Sequence, residues 1–575
     1  MIFSKRRFSL KEIKQRFNRG ISSLNLSFLL YEYGFIHGDY VRIVILAFVA
    51  LVIISPLFLS GNLFTSQDIL FHVTWAEQFY NALTDGIYYP RWVDTPFGYG
   101  SATFIFYAPL SFYLLSAINF FANSFIVSVK LAIFISFFLS GISMYLFMKD
   151  SNGEKAGFAS ALLYQVIPFH TFNLFTRGVF PELLAFIWFP LILLATRKMF
   201  LNKKPAAIAC AGLAYAGLIL THLVSAFMFT FIMIGYAFYL TFLEKKSGLL
   251  RMLIAMLLGL GLSSIYLLPV IFERAFIHIE FINIFNYADC FLFLQNTFSD
   301  KSFYPIPHGI FIIESAFLLF SVWAMKKKLI DVKNVFFLML LSLSLLLTVP
   351  VSDLIWKFVP EFSNLQFPWR WLTFSGLSVA LLSGVLLTNF KGQFRKVLII
   401  FLFPLLLLSF LNILSVSFFP TEAVKYWTRD SSLYAPVEYR PIWLQQYRIK
   451  LPPTEKVSIA IGIGAFDIIE WKAHRRILLT EGETDLTLKL STFYFPGWTA
   501  EIDGKSYNIL VDKENGSMIL EIPKGSHEIQ MTFRDTQVRI LGKVISVSSL
   551  FLILVLSAYA YINRSKKKMR TKHSG

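Results

Sequence analysis

A succession of apolar runs of membrane-spanning length, from about residue 43 to residue 562, constrains this chain more than any other feature. Crossing a bilayer takes about 20 mostly apolar residues in a helix, because only a helix or a closed barrel satisfies its backbone inside hydrocarbon. Twelve segments fit: roughly 43–60, 124–148, 156–173, 181–196, 205–220, 223–243, 252–270, 310–325, 334–350, 371–390, 397–417 and 541–562. Hydrophobic residues make up 56% of the chain and charged ones 15%, whereas a soluble domain carries about 25% charged residues. A disordered chain, a collagen-like fibre and an ordinary cytosolic enzyme are therefore excluded. A polytopic α-helical membrane protein is expected.

The formal charge is +18. A basic balance can signal nucleic acid, so its placement decides. The excess of Lys and Arg sits in 1–42, 149–155, 197–204, 244–251, 326–333, 391–396 and 564–575, each flanking an apolar run. That is the positive-inside pattern, with contact to anionic lipid as its corollary, and it argues against nucleic acid as a partner. The same rule sets the topology. With residues 1–42 as a basic cytoplasmic N-terminus, 61–123 falls outside the membrane. Lys149–Lys155 then falls inside only if the aromatic stretch 104–122, which contains Pro109, stays interfacial or re-entrant. Both termini are then cytoplasmic in a multi-pass cell-membrane protein. The first run reads as a retained span, since some 40 residues precede it and no small-residue cleavage pattern follows. The two cysteines, Cys210 and Cys290, form neither a disulfide framework nor a zinc spacing.

Three outward segments are long. The first external loop, 61–123, belongs to a transmembrane module over 43–417; the second is 271–309; the third, 418–540, is long enough for a domain of its own. A last span and a basic cytoplasmic tail fill 541–575. Within 418–540, Leu486–Leu490, Met518–Ile522 and His527–Met531 alternate apolar and polar residues. Pro496-Gly497, Asp503-Gly504, Asn515-Gly516 and Lys524-Gly525 punctuate them. Period-two patterning between such turns predicts an extracytoplasmic β-sandwich before the last helix.

Chemistry concentrates in the first loop. Asp68 and His72 are four residues apart, a spacing that puts both on one helical face. A carboxylate and an imidazole so placed can hold a divalent cation or share a proton; Asp68 can equally be a helix N-cap. Arg91 and Trp92 follow in Tyr89-Pro90-Arg91-Trp92. Arg177 and Glu182 lie in a turn between two spans, and His222, Glu273 and Arg370 lie at span ends. Ionisable groups at membrane depth usually have a partner or a task. As a set they place acids, cations and imidazoles at one level near the outer membrane surface, although the arginines can also simply meet lipid phosphates. Most of the aromatic residues are lipid-facing or interfacial, with Trp92, Trp369 and Trp371 as candidate sugar-stacking surfaces. A site facing outward at that level suits a substrate half lipid and half polar, such as a polyprenyl-phosphate sugar.

The run Asp68, His72, Ala82-Leu83, Gly86, Tyr89-Pro90-Arg91-Trp92, Gly98-Tyr99-Gly100 and Phe106-Tyr107-Ala108-Pro109-Leu110 resembles the first loop of bacterial membrane proteins labelled 6-pyruvoyl-tetrahydropterin synthase-related. Arg177-Gly178, His222, Tyr266-Leu267-Leu268-Pro269, Pro368-Trp369-Arg370 and the ending Tyr494-Phe495-Pro496-Gly497-Trp498 through Gly525-Ser526-His527 resemble it too. That family is similar to the GT-C glycosyltransferases, polytopic enzymes that use lipid-phosphate sugars on the extracytoplasmic face. The resemblance implies a GT-C-like fold and transfer of sugar from a lipid-linked donor to an envelope glycan, lipid or protein acceptor. It implies Asp68 as the acidic residue of the first loop, with Glu182 as a second acid assisting it; His72, from its spacing, is expected to support the same site. Arg91, Trp92, Arg177, His222, Glu273 and Arg370 are expected at the substrate. A divalent cation, Mg or Mn, is implied at Asp68, although Gln67 precedes it where such enzymes carry an acidic pair. A transporter or flippase, or a non-catalytic scaffold for envelope assembly, is the alternative.

Overall fold

The computed structural model describes residues 39–202, 205–284, 286–293, 305–420, 437–444 and 455–572. Most of the basic N-terminal segment and parts of 418–540 lie outside these residues.

Among the described residues, eight helices are long and apolar enough to cross a membrane: Tyr40–Phe58, Phe125–Asn152, Phe180–Leu201, Leu223–Phe242, Ile306–Lys326, Pro368–Asn389, Arg395–Leu414 and Gln537–Tyr559. Two bent pairs raise the number to ten. Leu249–Leu262 and Ser264–Phe276 meet at 73°, and Val332–Leu346 and Pro350–Phe358 meet at 99°. The sequence predicts twelve. The other two segments are helical but short of a full span. Residues 156–173 break into Glu154–Val166 and Pro168–Phe172, because the residue before a proline is driven out of the helical region and Ile167 is extended. Pro205–Thr221 stops at 17 residues. The stretch 104–122 forms Thr103–Phe106 and Leu110–Ala122. The latter, with 13 residues, reaches only about 20 Å at 1.5 Å per residue, short of a bilayer core.

Pro368–Asn389 and Phe180–Leu201 are the most enclosed spans, 89% and 78% buried. They hold the centre of the bundle and carry Arg370 and Glu182 at their first turns. The last helix packs closely onto the bend at Ser264. A side chain at Gly542 would strike the Ser264 carbonyl, and one at Gly261 would strike Ser549. Small residues allow this backbone approach, the usual device where no hydrophobic effect pulls helices together.

Between the bundle and the last helix, the described residues form nine strands: β1 (Val457–Ile461), β2 (Gly464–Lys472), β3 (Arg475–Gly482), β4 (Leu486–Phe493), β5 (Trp498–Ile502), β6 (Lys505–Tyr507), β7 (Leu510–Val511), β8 (Ser517–Ile522) and β9 (Gly525–Phe533). They form two antiparallel sheets, ordered β1-β4-β8-β7 and β2-β3-β9-β5-β6. The alternation legible in the sequence is the core register. Leu488 faces Leu520 and Leu490 faces Met518, while Leu478 pairs with Ile529 in the other sheet. All six of these leucines, isoleucines and methionines are buried in one shared core. The Asp503-Gly504 turn joins β5 to β6 with both residues at positive φ, as a tight hairpin requires.

The first loop is wedged between this sandwich and the bundle. Trp92 is 1% exposed and packs on Trp498 and Phe533 at 5.6 and 5.5 Å. Tyr99 stacks on Phe493 at 4.7 Å, and Tyr266 donates to the Phe106 carbonyl at 2.9 Å.

Candidate active site

Asp68 sits at the N-cap of helix Ile69–Thr84, but its side chain makes no capping hydrogen bond. Backbone bonds hold it there instead. Its N–H donates to the Arg177 carbonyl at 2.9 Å, and the Gln67 N–H donates to the Thr176 carbonyl at 3.1 Å. The first loop is thereby stitched to the turn Asn173–Arg177, a five-residue π-helical turn. Gly178 ends that turn at φ +68, and any Cβ there would collide with Ser66 and crowd Ile69. Glycine is needed on both counts.

Arg177 and Glu182 form a buried pair. Arg177 Nη1 donates to Glu182 Oε2 at 2.7 Å and to Asn173 Oδ1 at 2.5 Å. Asn173 Nδ2 closes the triangle on Glu182 Oε1 at 3.2 Å. The Arg177 guanidinium also lies 4.8 Å from the centre of the Trp369 ring. Every oxygen of Glu182 is therefore occupied, so its charge serves to hold Arg177 in place. Asn173 and Trp369 complete the group. Asn173 was legible only as the residue one turn before Arg177, whereas Trp369, expected as a sugar-stacking surface, lies against Arg177 instead.

Arg370 opens the span Pro368–Asn389. Its Nη2 donates to Gln366 Oε1 at 3.3 Å, and its buried Nε has no partner among the described residues. His222 caps helix Leu223–Phe242, its Nδ1 accepting the Ser225 N–H at 3.3 Å. These groups share one field. Asp68 is within electrostatic reach of Arg177, Arg370 and Glu182, His72 of His222 and Arg177, and His222 of Glu182, Arg370 and Arg177. Six of the nine residues singled out in the sequence are thus brought together.

Burial raises the Asp68 carboxyl above the usual carboxylate range, against the pull of the two arginines. The carboxylate accepts no hydrogen bond from a described residue and is half-buried. His72 departs from the i, i+4 expectation. It is 3% exposed, set among Trp75, Tyr107 and Phe112, and its Nδ1 has no partner among the described residues. Burial pushes it down to about 3, so it is neutral and shares no proton with Asp68. Asp68 stands at the N-cap, before the first helical residue.

Arg91, Trp92 and Glu273 lie apart, in the joint with the sandwich. Arg91 Nη1 donates to Asp535 Oδ1 at 3.0 Å. Trp92 has no open ring face, nor do Trp369 and Trp371 at 1% and 2% exposure, so none of the three offers a stacking surface for sugar. Glu273 receives Arg539 at 2.9 and 3.1 Å and Thr536 at 2.6 Å.

The donors around Asp68 do not fit a divalent cation. Glu182 is fully engaged, His72 lies in an aromatic cage, and two guanidiniums share the field. Among the described residues, no group of three or more His, Cys, Asp or Glu is placed to hold a metal.

A bundle of this kind, carrying a buried arginine–glutamate pair beside an uncapped aspartate, defines a polytopic membrane protein with a polar site at its span ends. The family model described as "6-pyruvoyl-tetrahydropterin synthase related domain; membrane protein" matches residues 104–417, and the chain belongs to that family. An uncharacterized protein of Lactococcus lactis subsp. cremoris is 29% identical over 229 residues, which are 39% of this chain and 36% of that protein. This chain therefore matches little more than a third of that relative's length. Among solved structures, the oligosaccharyltransferase AglB of Archaeoglobus fulgidus, in complex with an inhibitory peptide and a dolichol-phosphate, is similar at TM-score 0.43 and 12% identity, over 71% of this chain and 61% of that one. The same enzyme in complex with Zn and sulfate is similar at TM-score 0.40 and 14% identity, over 69% and 57%.

Proposed function

We propose that this protein is a membrane glycosyltransferase of GT-C type, moving a sugar from a polyprenyl-phosphate donor to an envelope acceptor on the extracytoplasmic face. The observation that carries the reading is Asp68: a half-buried carboxylate, at a cap position yet unused as a cap, facing two guanidiniums. Two further features support it. Arg370 keeps a buried donor free for a phosphate. An apolar groove of about 390 Å³ along helix Leu223–Phe242, lined by Phe231, Phe238, Phe336, Leu343 and Trp371, reaches the neighbour of Arg370 and has the chemistry of a lipid tail site.

In this reading Arg177 and Arg370 take the donor phosphate. Asp68 removes the proton from the acceptor hydroxyl as its oxygen attacks the anomeric carbon. The bond from that carbon to the phosphate oxygen breaks, and its electron pair leaves on the polyprenyl phosphate, with inversion. A carboxylate raised by burial is a stronger base than one in water. No step is routed through a divalent cation. The test is transfer of labelled sugar in proteoliposomes. Wild type transfers and Asp68→Asn does not; transfer that survives Asp68→Asn ends the reading.

One residue favours a second reading. Glu314 lies midway along the span Ile306–Lys326, fully buried, and nothing in the sequence patterning marked it. An intramembrane carboxyl suits proton-coupled translocation. Proton-dependent movement of a lipid-linked sugar across liposomes, lost in Glu314→Gln and kept in Asp68→Asn, would select that reading.

A further inference from the structure

The joint between sandwich and bundle holds a cavity of about 370 Å³ that the Asp68 chemistry does not use. Its walls are Tyr88, Tyr89, Tyr113, Arg91, Asp535 and Lys543, with His474, Phe533 and Ile265 beside them. Charge in it is unbalanced. Arg91 reaches Asp535 Oδ1 at 3.0 Å and Lys543 reaches Oδ2, so two cations share one carboxylate. The neighbouring Arg539 is committed to Glu273.

Arg91 is 3% exposed. Of its guanidinium donors, one goes to Asp535 and one to the Ile265 carbonyl at 3.2 Å, while Nε has no partner among the described residues. A buried guanidinium half-neutralised in this way carries a desolvation cost that an anion would relieve. His474 adds a neutral donor. Its Nε2 accepts the Trp92 N–H at 3.3 Å, which leaves the ring proton on Nδ1.

We propose that this cavity is a second ligand site, taking the phosphate of a membrane amphiphile. Arg91 and Lys543 would bind the phosphate, and the tyrosines would flank the group it carries. The membrane source follows from the walls: Tyr113 stands on the apolar helix Leu110–Ala122, Ile265 on a bent span and Lys543 on the last span, while the Tyr88 ring is 91% exposed at the rim. The inference stands independently of the glycosyltransferase reading.

The experiment is native mass spectrometry of the full chain released from detergent, titrated with phosphatidylglycerol, phosphatidylcholine or glucose 1-phosphate. Wild type is expected to retain phosphatidylglycerol over phosphatidylcholine. Lys543→Gln should weaken that retention about fivefold, the worth of one lysine beside an anionic lipid. Asp535→Asn, which removes the competing carboxylate, should tighten it. Lys391→Gln, on an exposed turn before helix Gln393–Leu414, should leave it unchanged and so measures general attraction to a basic protein. Competition by glucose 1-phosphate would support a phosphate site open to water-borne ligands as well; its absence would support the lipid source alone. Equal retention by wild type and Lys543→Gln, or loss in both Lys543→Gln and Asp535→Asn, would overturn the proposal.

Discussion

The backbone N–H of Asp68 donates to the carbonyl of Arg177 at 2.9 Å. One bond thus fixes a first-loop carboxylate relative to a guanidinium from a turn more than a hundred residues on. The side chains of both are left for other work.

Asp68→Asn should lower sugar transfer by about 10²–10⁴-fold, the usual contribution of a positioned general base. It should leave the thermal midpoint of the purified protein unchanged, because the carboxylate makes no capping hydrogen bond to its own helix. Parallel transfer and unfolding measurements check both halves. A loss of activity accompanied by a large fall in stability would point to a structural role instead.

The acid limb of the transfer rate should lie above the ordinary carboxylate range, because burial holds the Asp68 carboxyl up. Arg370 pulls in the opposite direction, so Arg370→Gln should move the limb to still higher pH while lowering the maximum rate. Rate–pH profiles of the two proteins decide the sign.

Glu182→Gln removes one partner of a buried pair and leaves Arg177 charged without its counter-ion. The expected loss is about 3–5 kcal/mol of stability. Replacing both residues, as Arg177→Met with Glu182→Leu, should cost less than Glu182→Gln alone while still abolishing transfer. Denaturation midpoints of the three variants test this ordering.

Gly178→Ala should destabilise the site by roughly 1–3 kcal/mol, the range for a strained left-handed residue. Ser66→Gly in the same chain should return only part of the loss, because it removes the collision but not the backbone strain. Protease sensitivity of the first loop is a direct readout.

In the sandwich, His527 Nδ1 lies 2.6 Å from Asp503 Oδ2, and Asp503 Oδ1 accepts the Glu528 N–H at 2.9 Å. The imidazole bond holds the Asp503 carboxyl below its ordinary 3.8, and the carboxylate holds His527 above its ordinary 6.5. The histidine's contribution is complete below about 6.5 and fades as pH rises through its folded value. The aspartate's is complete above about 3.8 and fades as pH falls through its own. Exchange of the Glu528 amide should therefore be slowest, after correction for intrinsic rates, between those limits. Asp503→Asn should flatten the profile.

Much of this was legible in the sequence because membrane insertion and β-pairing both leave a period. All twelve apolar runs are helical, and Leu486–Leu490, Met518–Ile522 and His527–Met531 all fall in strands. β1 and β2 were not legible, since their exposed isoleucines break the alternation. The gathering of Arg177, Glu182, His222 and Arg370 around Asp68 followed from their common level at the span ends. What failed was pairing across distance. Arg91 and Glu273 look like site residues, but their partners Asp535 and Arg539 lie 444 and 266 positions away, and no local pattern announces them. Trp92 shares that fate, its ring covered by Trp498. His72 failed for a local reason: its ring is enclosed by Trp75, Tyr107 and Phe112.

The separation of Arg91 from Asp535 also has a bearing on biosynthesis. The first loop leaves the ribosome early, whereas its counter-ion arrives only with the link between β9 and the last helix. Until then Arg91 has neither its carboxylate nor the sandwich wall that covers Trp92. A nascent or truncated chain therefore leaves Arg91 without this carboxylate and Trp92 without Trp498 over its ring.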